Sequence, residues 1–63
     1  METDIGMRLR IKRVSLRMTQ RQAAKVLGTY QYMVSLWETG DKKPTQEQRK
    51  EIDGFLKSGV KGN

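Results

Sequence analysis

The side chains that could do chemistry in this sequence are mostly basic, and they lie in a long interval without acids. No aspartate or glutamate occurs between Asp4 and Glu38, and the basic residues of that interval are Arg8, Arg10, Lys12, Arg13, Arg17, Arg21 and Lys25. The whole chain has 13 Lys and Arg against 7 Asp and Glu, a net charge of +6. Such a one-sided positive field attracts a polyanion. A merely soluble surface does not require so long an acid-free interval, so the charge favours nucleic acid.

Catalytic and metal-binding side chains are scarce. The sequence contains no cysteine and no histidine, which excludes disulfides, zinc fingers, Cys nucleophiles and His general bases. Its few carboxylates form no paired constellation, and it has no phosphate-binding loop. We therefore expect no catalysis, no cofactor, no metal site and no small-molecule substrate. No apolar run suits a signal peptide or a membrane span, so we expect a cytoplasmic protein.

Glycine and proline divide the sequence into four short helical segments, and no period-2 alternation of β-branched residues indicates strands. The first helix is expected over about 5–16, with Asp4 or Thr3 as its cap. The residues of its core-facing stripe are Ile5, Leu9, Arg13 and Leu16. A chain of 63 residues forms one small domain of marginal stability.

A second apolar stripe lies on the opposite side of the first helix. It consists of Met7, Ile11 and Val14, with Met18 beyond the helix end and expected to turn back into the core. The stripe either contacts the fourth helix or the C-terminal tail, or forms a surface for self-association or a partner. The sequence leaves both interpretations open.

The second helix begins after Thr19, which fits a capping box with Gln22. Gly28 is expected to end this helix in the left-handed conformation. The apolar face of the second helix consists of Ala23, Ala24 and Leu27. A helix of about two turns does not form in isolation, so tertiary packing must hold it.

The third helix is expected from Tyr30 to Thr39, with Thr29 as cap and Gly40 as its end. Val34 and Trp37 mark its buried side. The residues of the opposite side are Gln31, Tyr32, Ser35 and Leu36.

The fourth helix follows Pro44, and Thr45 and Gln48 form a second capping box. Its apolar stripe is Ile52, Phe55 and Leu56. We expect a domain over residues 1–57 and a flexible tail over 58–63.

Two short helices joined through Gly28 are typical of a helix-turn-helix. Ala24 must be small because the third helix crosses close above it, and Gly28 must reverse the chain with positive φ. Val34 and Trp37 bury the inner side of the third helix. Its outer side is then exposed, and the packed inner side holds it in place.

The stretch 12–40, KRVSLRMTQRQAAKVLGTYQYMVSLWETG, resembles the Cro and lambda-repressor-like (XRE-type) helix-turn-helix family. The matching pieces are I-G-x-R from Ile5, the arginine at 13, M-T-Q at 18–20, A-A-x-x-L-G ending at Gly28, V-S-x-W-E-x-G ending at Gly40, and Lys43-Pro44. Together, in this order and at this spacing, the pieces are specific. The resemblance extends over residues 5–56.

The resemblance implies an all-α fold, a compact bundle of four helices with at most a vestigial fifth. It implies a double-stranded DNA partner and a homodimer on a palindromic site, with half-sites about one DNA turn apart. It also implies an ion pair between Arg13 and Glu38 that links the first helix to the third.

Individual contacts follow from the same resemblance. The positions implied to face base edges are Gln31, Tyr32 and Leu36. Glutamine at the first of these suits adenine, which offers N7 and N6 to a bidentate amide. The positions implied to meet the phosphate backbone are Gln20, Ser35, Lys42 and Lys43. Among the other cations, we expect Arg10 and Arg21 nearest the phosphates.

Two positions depart from the family pattern. Position 36 is often polar, whereas Leu36 can contact only a thymine methyl or pack against a partner. Tyr32 is bulky where smaller amides are common. The operator sequences of the family therefore do not transfer to this chain.

The sequence thus predicts a DNA-binding transcription regulator, a Cro-like repressor that gathers the duplex through counterion release and selects its site with the helix starting near Gln31. Two alternatives remain open. One is a protein-interaction module on the same fold, antitoxin-like or adaptor-like. The other is an architectural DNA binder without sequence preference.

Overall fold

The computed structural model describes residues 4–58, and this part of the chain contains helices and turns but no strand. The helices are α1 (Ile5–Ser15), α2 (Gln20–Leu27), α3 (Gln31–Thr39) and α4 (Gln46–Ser58). The prediction of an all-α, four-helix fold is confirmed. The tail and the vestigial fifth helix expected after α4 lie outside the described residues, apart from Ser58, which ends α4.

Side-chain caps set the starts of the first two helices. The Gly6 amide donates to Asp4 Oδ1 at 3.1 Å, so Asp4 is the cap of α1. At α2, the Gln22 amide donates to Thr19 Oγ1 at 3.0 Å, and the Thr19 amide donates to Gln22 Oε1 at 2.8 Å. The predicted capping box is confirmed. It satisfies two amides that the first turn of a helix otherwise leaves unpaired.

The second predicted capping box is present at the start of α4. The Gln48 amide donates to Thr45 Oγ1 at 3.2 Å, and the Thr45 amide donates to Gln48 Oε1 at 2.8 Å. This reciprocal pair lets the chain resume a helix directly after Pro44.

The turn between α2 and α3 depends on Gly28. Its φ of 73° lies in the left-handed region, as predicted, and lets the Thr29 amide donate to the Ala24 carbonyl at 2.9 Å. Because Thr29 closes α2 in this way, it does not cap α3, and that prediction was wrong. The N-cap of α3 is Tyr30, in an extended conformation and without a side-chain capping hydrogen bond.

The core lies where all four helices meet. Its buried apolar side chains are Ile5, Leu9, Ala24, Leu27, Met33, Val34, Trp37, Ile52 and Phe55. Leu56, predicted on the core-facing stripe of α4, is partly buried and packs against this cluster. α2 and α3 pack most extensively against each other, which holds the two helices as a unit.

Leu16 does not join the core, contrary to the prediction. α1 ends at Ser15, and the chain then reverses at Arg17, whose φ is 58°. The reversal leaves Leu16 exposed and brings Met18 against the core, where Met18 was expected.

Gly6 marks a close crossing of α1 over the end of α3. A Cβ atom added at Gly6 would lie 1.8 Å from the Trp37 carbonyl oxygen and 3.2 Å from the Glu38 Cα. Only glycine permits this approach of two backbones. The sequence analysis used Gly6 only as part of a family motif, because a glycine inside a helix does not reveal which backbone crosses it.

Candidate nucleic-acid interface

α3 has two distinct sides. Val34 and Trp37 are buried as predicted, with Trp37 only 2% exposed. Met33 is also buried, which the sequence analysis missed although it lies four residues before Trp37. Gln31 and Tyr32 are exposed at the N-terminal end of the helix. The end that holds Gln31 and Tyr32 is therefore accessible to a large ligand.

Ser35 and Leu36 lie between the two sides. Both are half-buried, and Leu36 packs against the apolar core although it was predicted on the outer side. Part of the Leu36 side chain is thus used for packing within the domain. Gln31 and Tyr32 therefore offer more accessible surface than Leu36.

A shallow groove joins α2 to the start of α3. It is lined by Arg21, Ala24, Lys25, Thr29, Tyr30 and Gln31. Arg21 and Lys25 are exposed, so two cationic side chains line the same groove as Gln31. Arg21 and Gln31 were predicted to contact DNA, whereas Lys25 was not predicted to belong to the site. The position of Lys25 one turn after Arg21 on α2 was the available signal.

Two tyrosines form a stacked pair at the same end of α3. The ring centroids of Tyr30 and Tyr32 are 5.8 Å apart, and the ring planes differ by 14°. Residues two apart in a helix do not face each other. They meet here because Tyr30 is the N-cap, with an extended backbone (φ −109°, ψ 154°). Helical periodicity could not have revealed this pair.

An ion pair holds α3 to α1 beneath this surface. Arg13 Nε donates to Glu38 Oε2 at 2.7 Å, and Arg13 Nη2 donates to Glu38 Oε1 at 3.0 Å. The Arg13 and Glu38 side chains are 12% and 4% exposed. Arg13 Nη1 also donates to the Met18 carbonyl at 2.9 Å, which ties the end of α1 to the start of α2.

Gln20 joins this ion pair. Its Nε2 donates to Glu38 Oε1 at 3.1 Å, so the side chain is half-buried and oriented by the carboxylate. Donating hydrogen bonds to Glu38 raises the pKa of Arg13 above its ordinary value, burial acts to lower it, and the charge of the same carboxylate adds a smaller raising contribution. Arg13 therefore stays charged, and one bidentate pair connects α1, α2 and α3.

The remaining predicted phosphate contacts lie apart from the groove. Lys42 and Lys43 are exposed in the loop after Gly40. The Lys42 amide donates to the Leu36 carbonyl at 3.3 Å, which ties this loop to α3. Arg10 is exposed on α1 and does not line the groove between α2 and α3.

The second apolar stripe of α1 is exposed. Met7, Ile11 and Val14 are 44%, 59% and 56% exposed. Ile11 and Leu56 line a shallow depression between α1 and α4, yet α4 leaves most of Ile11 uncovered. Within residues 4–58, roughly half of each of these three side chains therefore stays exposed.

Two further features are absent from the part of the chain that the structure describes. No group of three or more acidic side chains there is arranged to hold a metal ion. None of the four helices is long and apolar enough to cross a membrane.

Comparison with known proteins identifies a relative that the chain matches over part of its length. Over 41 residues, 65% of this chain, the sequence is 49% identical to the HTH-type transcriptional regulator DicA of Escherichia coli (strain K12). Those residues make up 30% of DicA, so the chain spans less than a third of the relative that it matches. No family model matches the chain, and no solved structure matches it. The chain is thus similar, over most of its own length, to part of a helix-turn-helix transcriptional regulator.

Proposed function

We propose that this chain is a sequence-specific, double-stranded DNA-binding transcription regulator of the Cro and lambda-repressor-like family, with α3 in the major groove. The observation that carries the proposal is the groove that Arg21 and Lys25 line together with the exposed Gln31. Cations beside a polar helix start combine attraction for phosphate with groups that read bases.

The geometry supports a division of roles between residues that supply affinity and residues that supply selectivity. The exposed basic side chains of the acid-free segment gather the duplex by releasing its counterions. The N-terminal residues of a recognition helix contact base edges in this type of docking. Gln31 reads adenine through its amide. The proposed base contacts are Gln31, Tyr32 and the exposed part of Leu36. The proposed phosphate contacts are Gln20, Arg21, Ser35, Lys42, Lys43 and Arg10.

Gln20 combines two roles in this proposal. Its amide nitrogen has two hydrogens. One is donated to Glu38, which orients the side chain, and the other serves a phosphate oxygen. The Arg13–Glu38 pair then acts as a frame that positions a DNA-contacting residue without touching DNA itself.

The similarity to DicA supports transcription regulation as the biological role. We propose repression, in which the protein bound at a promoter blocks the access of polymerase. A promoter that carries the preferred site should be transcribed less in vitro when the protein is added. Increased transcription would contradict repression while leaving DNA binding intact.

We propose a homodimer on a palindromic site, with the exposed stripe of Met7, Ile11 and Val14 as the contact between subunits. Mass measured by light scattering, with and without DNA, tests this. Ile11→Glu should lower the mass to that of a monomer while preserving helicity. An unchanged mass would remove the stripe from the interface.

Selection of random duplexes on the protein is the decisive experiment. A palindromic consensus is the expected result, because each half-site is read by one α3. Salt-dependent binding with no preferred sequence would favour an architectural DNA binder. The absence of binding to any duplex at about 50 mM salt, where phosphate contacts are strong, would favour a protein-interaction module.

A further inference from the structure

The stacked tyrosines at the start of α3 are large, exposed and adjacent to the base-reading glutamine. Tyr30 and Tyr32 are 69% and 63% exposed, and their rings stack against each other. Gln31 lies between them in the sequence, and Tyr30 and Gln31 line the same groove. An aromatic surface therefore accompanies the amide wherever Gln31 is placed against a ligand.

The pairing makes this surface suitable for recognition. A tyrosine has few rotatable bonds, so it supplies a large contact area at low cost in conformational entropy. Stacking restricts both rings further before any ligand arrives. A surface organised in this way loses less entropy on binding than two independent side chains would.

The floor of the major groove offers few partners to an aromatic ring. Base edges there present hydrogen-bond donors and acceptors, and the apolar group among them is the C5 methyl of thymine. The carbon atoms of a tyrosine ring pack against that methyl, whereas only its hydroxyl forms hydrogen bonds with the other groups. The same methyl occurs on 5-methylcytosine, so the shared chemistry is a pyrimidine methylated at C5.

We propose that Tyr30 and Tyr32 together form a reader of pyrimidine C5 methyl groups that sets specificity next to the base read by Gln31. The inference rests on the proposed DNA binding and assigns to the N-cap residue Tyr30 a role that the family resemblance did not imply. It also explains why a bulky ring at position 32 is compatible with major-groove binding. The rings occupy the space beside a methyl and do not compete for a hydrogen bond.

The test uses the full chain and its selected duplex, with binding measured by fluorescence anisotropy. Each thymine of the duplex is replaced singly by uracil, which removes the methyl and leaves the hydrogen-bonding edge unchanged. Replacement at the thymine beside the tyrosines should weaken binding about fourfold, as expected for one buried methyl group. In a parallel series, each cytosine is replaced by 5-methylcytosine. Weaker binding in the first series identifies thymine as the source of the methyl, and tighter binding in the second identifies 5-methylcytosine.

Variants assign the effect to the rings. The double variant Tyr30→Ala and Tyr32→Ala should keep its helicity, because both side chains are exposed and Tyr30 makes no capping hydrogen bond. It should bind methylated and unmethylated duplexes equally. The double Phe variant should still discriminate, because it keeps the rings and loses only the hydroxyls. Leu16→Ala, an exposed apolar residue after α1, is the matched control and should discriminate like the parent.

Several outcomes would overturn the inference. Equal binding of the parent to all duplexes in both series would do so while leaving sequence-specific DNA binding intact. If the double Ala variant still discriminated between methylated and unmethylated duplexes, residues other than the two tyrosines would be in contact with the methyl. Loss of discrimination in the Phe variant would indicate that the hydroxyls, and not the rings, are responsible. Failure to select any duplex would contradict the proposed function itself, and this inference with it.

Discussion

The nine residues of α3 form an inner side that packs within the domain and an outer side that is exposed. On the inner side and at the C-terminal end, Val34, Trp37 and Glu38 are held by packing and by the pair with Arg13. On the outer side, Gln31 and Tyr32 are exposed and contribute little to the packing of the domain. Substitutions on the inner side should therefore change stability, and those on the outer side should change binding.

A domain this small can hold the proposed DNA-reading side of α3 in place because both ends of the helix are fixed. The close backbone crossing at Gly6 and the Arg13–Glu38 pair both act on the last turn of α3. The first turn is oriented by the Gly28 turn and by packing of Val34. Both ends of the helix are thus fixed from beneath, and its outer surface is free to vary.

Breaking the ion pair should have the largest effect. Glu38→Ala leaves the guanidinium of Arg13 mostly buried without its carboxylate and removes the acceptor of Gln20. The free energy of unfolding should fall by about 3–5 kcal/mol, as for other broken buried pairs, which is enough to unfold much of a domain this small. Urea denaturation followed by circular dichroism measures the change. Asp53→Ala, an exposed carboxylate on α4, is the control and should change stability by less than about 0.5 kcal/mol. A Glu38→Ala variant as stable as the parent would show that the ion pair does not stabilise the position of α3.

Two glycine substitutions should have opposite signs. Gly6→Ala places a methyl group against the Trp37 carbonyl and should cost about 1–3 kcal/mol, the usual range for overpacking. Gly54→Ala adds the same methyl group in α4, where nothing lies within 4 Å of it, and should stabilise by about 0.5–1 kcal/mol. Thermal unfolding of both variants measures the difference. A stable Gly6→Ala would contradict the close crossing of α1 and α3.

Substitutions at two glutamines should distinguish a residue that reads bases from a residue that is held by the ion pair. Gln31→Ala should weaken binding to the selected duplex by about 1–3 kcal/mol, the range for a bidentate base contact, with no change in melting temperature. Gln20→Ala should lower stability by about 1 kcal/mol through the lost hydrogen bond to Glu38, and weaken binding as well. Anisotropy titrations and melting curves on the same samples provide both values. A lowered melting temperature for Gln31→Ala, with that of Gln20→Ala unchanged, would contradict the assignment of Gln31 to base reading and of Gln20 to the ion pair.

The smallest expected effect concerns sequence-independent affinity. Arg21→Ala should weaken binding to all duplexes alike and reduce the slope of log affinity against log salt by about 1, as for one lost phosphate contact. Titration of selected and random duplexes at several salt concentrations gives both numbers. A loss confined to the selected duplex would instead make Arg21 a base-reading residue.

Local features were predictable because neighbouring residues determine them. The two Thr–Gln capping boxes and the left-handed Gly28 depend on side chains within a few positions of each other. The buried Val34 and Trp37 follow from helical periodicity. The errors at Leu16 and Thr29 arose at helix ends, where one residue more or less in the helix changes the direction of a side chain.

The composition and order of the residues alone determined an all-α chain with a basic, acid-free segment and two helices joined through Gly28. Only the tertiary structure decided that Gly6 lies against Trp37, that Gln20 bonds to Glu38, and that Tyr30 stacks on Tyr32. The first set depends on spacing along a helix, which is written in the sequence. The second depends on where separate helices cross and on the extended backbone at a helix start, which follow from packing the whole domain.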